Sequence, residues 1–292
     1  MESPLELLVF SLYDHLRHCD LCPRCCGVNR LRGEKGFCRG GMLPRIASFH
    51  PHFGEEPLLS GRKGSGTIFF TGCNMHCVYC QNYTISQFDE GEEVDCETLA
   101  AIMLTLQKEG CHNLNLVTPT HFLPQILCAL SIAKKAGFSL PLVYNTGGYE
   151  RVEILRLLKG VVDIYLPDMR YSREESGVRY SRALFYPYFN REAVREMFAQ
   201  VGEVVCNEEN VALRGMVVRI LLIPSLVDEA MENLRFLAEN VSRRIFITLM
   251  RQYRPMYRAS EFPELGGQID TVTYERVLRY GLELGLNNFI LQ

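Results

Sequence analysis

After residue 66 the chain alternates short β-branched or aromatic runs with helical patterns, which restricts it to repeated βα units around a parallel sheet. Six runs read as strands: 67–70, 113–117, 142–144, 161–166, 216–223 and 245–249. Between the first two, Asp95 can cap a helix whose apolar residues Leu99, Ile102, Met103 and Leu106 fall at i, i+3, i+4 and i+7, and Gly110 is placed to end it. Further helices are expected near Pro124, over 152–159 up to Gly160, around 234–238 and over 274–285. In the stretch 171–210, residues 192–200 read as a helix and Tyr186-Pro187-Tyr188 as a break. The expectation is an α/β fold, a partial (β/α)6 TIM-like barrel with a Cys-rich N-terminal cap and its chemistry at the C-terminal strand ends.

Residues 1–66 depart from that rhythm. They are rich in Cys, Gly, Arg and Pro, and show a helix near 4–17 but no clear run of strands. They are read as a Cys-rich, metal-binding cap, with 67–292 as the barrel. The chain's 292 residues, 47% of them hydrophobic, suffice for a sizeable core. A net charge of −3 gives no global reason to bind nucleic acid, and no such partner is expected. The apolar run 7–10 is too short for a signal peptide or a membrane span, so a cytoplasmic protein with no membrane partner is expected. In that reducing compartment twelve cysteines point to metal binding or redox chemistry, and eight of them lie between Cys19 and Cys80.

The first strand runs into Gly72-Cys73-Asn74-Met75-His76-Cys77-Val78-Tyr79-Cys80, a C-x3-C-x2-C loop. A four-iron cluster normally takes four thiolates, so three in one loop leave an iron without a protein ligand, where chemistry can occur. The competing reading is a zinc site, which would need a fourth ligand such as His76. With Tyr79 ahead of the last cysteine, the loop resembles the signature of the radical S-adenosylmethionine superfamily. More narrowly, 64–70, 115–121, 143–146, 162–168 and 252–257 resemble proteins related to pyruvate formate-lyase activating enzyme.

The resemblance implies that Cys73, Cys77 and Cys80 hold a 4Fe-4S cluster whose open iron binds S-adenosylmethionine. Reductive cleavage would give a 5'-deoxyadenosyl radical for hydrogen abstraction. It implies a one-electron donor such as flavodoxin or ferredoxin, and a glycyl-radical enzyme as protein substrate. Radical modification of a small molecule or another peptide is the alternative, and a non-catalytic Fe-S or zinc scaffold is the rival from another class. Cofactor contacts are expected from Tyr79, from Thr118 and Thr120 for the amino group, from Asn145 and Thr146 for the carboxylate or ribose, and from Asp168 and Arg219. Read from the residues alone, these polar strand ends are equally caps and turns. Activating enzymes of this kind commonly carry Gly-Gly-Glu where Thr118-Pro119-Thr120 stands here.

Cys19, Cys22, Cys26 and Cys38 form C-x2-C-x3-C-x11-C, which suits zinc or an auxiliary iron–sulfur cluster equally. Glu55, Glu56 and His121 are candidate acids or bases near the substrate. His50 and His52 are weaker ones, and Cys111 is considered as a thiol hydrogen donor.

Overall fold

A computed structural model describes residues 4–291. The elements are α1 Pro4–Asp14, β1 Arg45–His52, α2 Pro57–Ser60, β2 Ser65–Phe70, α3 Tyr83–Gln87, β3 Glu92–Glu93, α4 Cys96–Lys108, β4 Leu114–Val117 and α5 Leu123–Lys135. They continue with β5 Leu142–Thr146, α6 Val152–Leu157, β6 Ile164–Pro167, α7 Glu174–Ser181, α8 Tyr186–Val201, β7 Val205–Cys206 and β8 Ala212–Leu221. The last are α9 Val227–Asn240, β9 Phe246–Met250, α10 Thr271–Glu283 and β10 Asn288–Leu291.

The strands form one sheet in the order β10-β9-β8-β6-β5-β4-β2-β1-β3, with β7 beside β8. From β10 to β2 all neighbours are parallel, and the sheet stays open between its two ends, as in a partial barrel. Strands β5 and β6 are buried along their whole length, as parallel strands covered on both faces must be. The six expected strands all form. A seventh parallel strand, β10, was not legible because four residues at the chain end, led by Asn287-Asn288, carry no periodicity.

The segment before residue 67 holds a strand that its composition conceals. Strand β1 runs antiparallel to β2, with Pro51 and two histidines where a regular apolar alternation would stand. Leu12, Leu16, Leu21 and Ile46 also join the apolar core that Ile68, Leu116 and Ile247 occupy under the sheet. Arg30, only 1% exposed, fastens this segment to the strand ends: it donates to the His121 carbonyl at 2.6 Å and to the Gly41 carbonyl at 2.6 Å.

The helix over 96–108 starts as its sequence dictates. The Asp95 carboxylate accepts from the Thr98 N–H at 2.7 Å, and Leu99, Met103 and Leu106 are wholly buried. Each such side chain contributes about 1.5–3 kcal/mol of apolar burial. Tyr186-Pro187-Tyr188 does not break the chain. Proline lacks a donor that a first helical turn does not need, so Pro187 opens α8.

Candidate functional site

The cysteine loop follows β2 at the C-terminal edge of the parallel strands, so its side chains face the mouth of the half-barrel. Gly72 makes the turn. Its φ is +87°, and a Cβ there would stand 2.3 Å from the Cys38 carbonyl oxygen, so only glycine fits. Each of the three sulfurs has a hydrogen-bonding neighbour. The Met75 N–H donates to Cys73 Sγ at 3.3 Å, the Ser181 hydroxyl donates to Cys77 Sγ at 2.9 Å, and the Ser86 hydroxyl lies 3.3 Å from Cys80 Sγ. Burial, reinforced by the neighbouring Cys77, pushes the thiol of Cys73 well up and raises that of Cys80. As bare cysteines these groups stay protonated, and a cation must be present before they become thiolates together.

Around the loop lies a cavity lined by Gly72, Cys73, Met75, Cys77, Cys80, Val117, Thr118, Asn145, Thr146, Gly147, Asp168, Arg170 and Arg219. The strand ends meet there as an ion-paired network. Arg219, on β8, donates from Nε to Asp168 Oδ1 at 2.8 Å and from its terminal nitrogen to Asn145 Oδ1 at 2.6 Å. Arg170 donates to the other Asp168 oxygen at 2.5 Å, and its buried Nε has no partner. Tyr79 closes one side, its ring 5.9 Å from that of Tyr253 in an edge-on arrangement.

Thr118, Asn145, Thr146, Asp168 and Arg219 line this cavity, and Tyr79 lines an adjoining pocket that shares Cys80, Asn82, Asp168, Arg170 and Arg219 with it. Thr118 reaches the cavity through a left-handed backbone at φ +58°. Thr120 does not line the cavity. A short helical turn over Thr120–Phe122 rotates it inward, where its hydroxyl donates to Glu150 at 2.6 Å. Thr146 donates to the same carboxyl, and the Tyr144 hydroxyl donates to its other oxygen at 3.4 Å. Burial pushes Glu150 up to about 7 against the pull of these hydroxyls.

The candidate acids and bases fare differently. Burial pushes Glu55 up to about 7, with Arg219 opposing at 3.8 Å, so it sits behind the ion-pair network. His121 is turned away: its Nε2 donates to the Thr71 carbonyl at 2.8 Å, and burial depresses it to about 4, leaving a neutral ring with no cavity face. His50 and His52 on β1 pack against each other and against Phe69 on β2. Cys111 precedes β4, at the N-terminal end of the strand, so it lies at the opposite end of the sheet from the cavity and does not serve as a hydrogen donor there. His76 stacks on Phe37 at 3.9 Å, and burial followed by the charges of Arg24, Arg182 and Arg39 lowers it to about 4.

Sequence reading missed Glu150, Tyr171 and Ser181, all of which come from segments without a spacing signal, while Arg170 was visible only as part of the polar strand end Asp168-Met169-Arg170. The one available cue was a carboxylate shortly after Gly147-Gly148 at a strand end.

The amino-terminal cysteines also gather. Cys22 lies within electrostatic reach of Cys38 and Cys19, and Cys38 within reach of Cys19 and Cys26. Gly36 leaves room for Cys26, whose sulfur would stand 2.9 Å from a Cβ at that position. Arg24 lies between the two cysteine sets: it donates to the Asn74 carbonyl at 2.9 Å and is flanked by Cys22, Cys26 and Cys73. Among the described residues no three His, Cys, Asp or Glu side chains are drawn to single-ion distance. Nor is any described helix long and apolar enough to cross a membrane.

Comparison with known proteins places this geometry. The uncharacterised protein MJ0674 of Methanocaldococcus jannaschii is 33% identical over 96% of this chain and 80% of its own length. MJ0808 of the same organism is 26% identical over 53% of each. Among solved structures, SuiB from Streptococcus suis bound to precursor peptide SuiA superposes with a TM-score of 0.52 at 11% identity, over 75% of this chain and 46% of SuiB. SuiB bound to S-adenosylmethionine gives the same score over 75% of this chain and 48% of its own. This chain thus spans about half the length of those structures, and the likeness is one of fold. The family model for the radical SAM superfamily matches residues 67–238, from the strand that feeds the cysteine loop to the helix after β8, so the chain belongs to the radical SAM superfamily.

Proposed function

We propose that the protein cleaves S-adenosylmethionine reductively at a 4Fe-4S cluster held by Cys73, Cys77 and Cys80 and uses the product to abstract hydrogen from a substrate. The observation that carries this reading is three cysteine sulfurs in one loop, each with a hydrogen-bonding neighbour, facing a cavity walled by Asp168, Arg170, Arg219, Asn145 and Thr146. When bound, the cluster supplies one electron to the sulfonium and leaves a 5'-deoxyadenosyl radical as the abstracting agent.

The chain's own part is placement and shielding. Arg170, with an unpartnered Nε, is the donor suited to a carboxylate. Asn145 and Asp168, locked by Arg219, present fixed polar edges that need no reorganisation when a ligand enters. Thr118 occupies the strand end where an acidic residue commonly meets the amino group, and Glu150, one hydroxyl behind Thr146, supplies a carboxyl nearby. Tyr79 and Tyr253 exclude water from one side.

The substrate in this reading is a polypeptide segment, a protein glycine being the case that the sequence resemblance suggests. What supports a polypeptide is the adjoining pocket, whose lining includes the exposed Gln81, Asn82 and Gln252. The amino-terminal cysteines are read as a second metal site, with zinc and an auxiliary cluster separated by metal counting. The decisive experiment is anaerobic reconstitution with iron and sulfide, followed by reduction and quantification of 5'-deoxyadenosine. Release that tracks cluster content supports the reading, and a fully loaded, reduced protein that leaves the cofactor intact sinks it.

A further inference from the structure

We propose that Tyr79, Tyr171 and Ser181 form a directed hydrogen-bond chain that sets the electron density on the Cys77 sulfur, and thereby the reduction potential of the cluster it would hold. The inference rests on the function proposed above and adds residues to it.

The chain is continuous and dry. The Tyr79 hydroxyl lies 2.5 Å from that of Tyr171, the Tyr171 hydroxyl 2.7 Å from Ser181 Oγ, and Ser181 Oγ 2.9 Å from Cys77 Sγ. Exposure is 3% at Tyr79, 0% at Tyr171 and Ser181, and 6% at Cys77, so water does not compete for these bonds. A ligating thiolate can only accept, which obliges Ser181 to donate to it. The Ser181 oxygen then accepts from Tyr171, and the Tyr171 oxygen accepts from Tyr79. Each bond polarises the next in a low-dielectric interior.

Two features make Cys77 unlike its neighbours. Its bond from Ser181 is 2.9 Å, whereas the contacts to Cys73 and Cys80 are both 3.3 Å, the first from a lone backbone N–H and the second from Ser86, which is backed only by the Gln87 amide at 3.3 Å. Ser181 is also fixed in place. It is the last residue of α7, and the carbonyls of Ser181 and Tyr180 accept from the backbone N–H groups of His76 and Val78, the residues on either side of Cys77. Those two bonds tie the C-terminal end of α7 to the residues that flank Cys77. The far end of the hydroxyl chain, Tyr79, stands in the wall of the adjoining pocket beside Arg170.

Donors to a ligating sulfur stabilise the more electron-rich, reduced state more than the oxidised one, so removing them lowers the potential. The test is a redox titration of the reconstituted holoprotein, followed spectroscopically, for wild type, Ser181→Ala, Ser181→Thr and Tyr171→Phe at equal iron content. Ser181→Ala is expected to shift the midpoint to more negative values. Ser181→Thr, which keeps the hydroxyl, should return it towards wild type, and Tyr171→Phe should shift it in the same direction as Ser181→Ala but less.

Indistinguishable midpoints in fully loaded Ser181→Ala and wild type overturn the proposal, as does a threonine variant displaced as far as the alanine one. Should Ser181→Ala lose iron, Tyr171→Phe decides, because it leaves every atom in contact with the sulfur in place: a shift supports the chain and none overturns it. Iron uptake by the wild type judges the proposed function separately, since a wild type without a cluster overturns both, whereas loaded variants with equal potentials overturn only this inference.

Discussion

At Glu150 two forces pull the same carboxyl in opposite directions. Three hydroxyl donors favour the anion, burial favours the acid, and burial prevails, placing the group at about 7 against an ordinary value of 4.5. A carboxyl raised on folding stabilises the protein fully below its unfolded value, and that contribution is lost as pH climbs through the folded one. Glu150 therefore contributes stability to urea that is lost between pH 4.5 and about 7, a fall opposed over much of that range by His121 and His76, which burial holds at about 4, and Glu150→Gln should shift the pH slope upward by about one proton's worth. A variant with an unchanged pH slope would show that Glu150 does not titrate there. At Cys77 the expectation is simpler. Cys77→Ala should reduce 5'-deoxyadenosine release to background with the circular dichroism spectrum preserved, and turnover surviving with two cysteines would reject the three-thiolate cluster. The sequence made Cys77 visible because its spacing is itself the signal. Glu150 and Ser181 stayed hidden, since nothing along the chain says that a residue many positions away will turn its oxygen to a given sulfur or hydroxyl.

At the scale of elements, local periodicity set the limit of legibility. The run Leu99 to Leu106 specified α4 because its apolar spacing, its aspartate cap and its closing glycine all agree. Strand β1 was illegible because His50, Pro51 and His52 break the alternation, and its pairing with β2 is decided by tertiary contacts. Thr120 points away from its expected direction for a related reason: a single short helical turn after β4 rotates a side chain, and no periodicity records it. The Arg30 clamp joins the two regions, and Arg30→Met would leave the carbonyls of His121 and Gly41 without their charged donor. A loss on the order of 3 kcal/mol is expected in denaturant titration, because hydrogen bonds to charged groups are worth more than neutral ones. A loss under about 0.5 kcal/mol, typical of surface substitutions, would mean that the clamp is replaceable.

For the molecule as a whole, residues on both sides of position 67 contribute to one apolar core. Leu12→Ala is accordingly expected to cost about 2–5 kcal/mol and to lower the main unfolding transition. A separate early transition confined to the amino-terminal segment would instead reveal an independently folding cap. Metal counting on Cys22→Ala gives the complementary test: loss of zinc alone, with iron unchanged, excludes an auxiliary cluster at the amino-terminal set. Gly72 gives these two observations a shared meaning. The oxygen of Cys38 rests in the space that any side chain at position 72 would fill, so the hinge of one thiol loop is the floor of the other. Anything that displaces the Cys38 carbonyl is therefore expected to unseat the pivot on which Cys73 hangs.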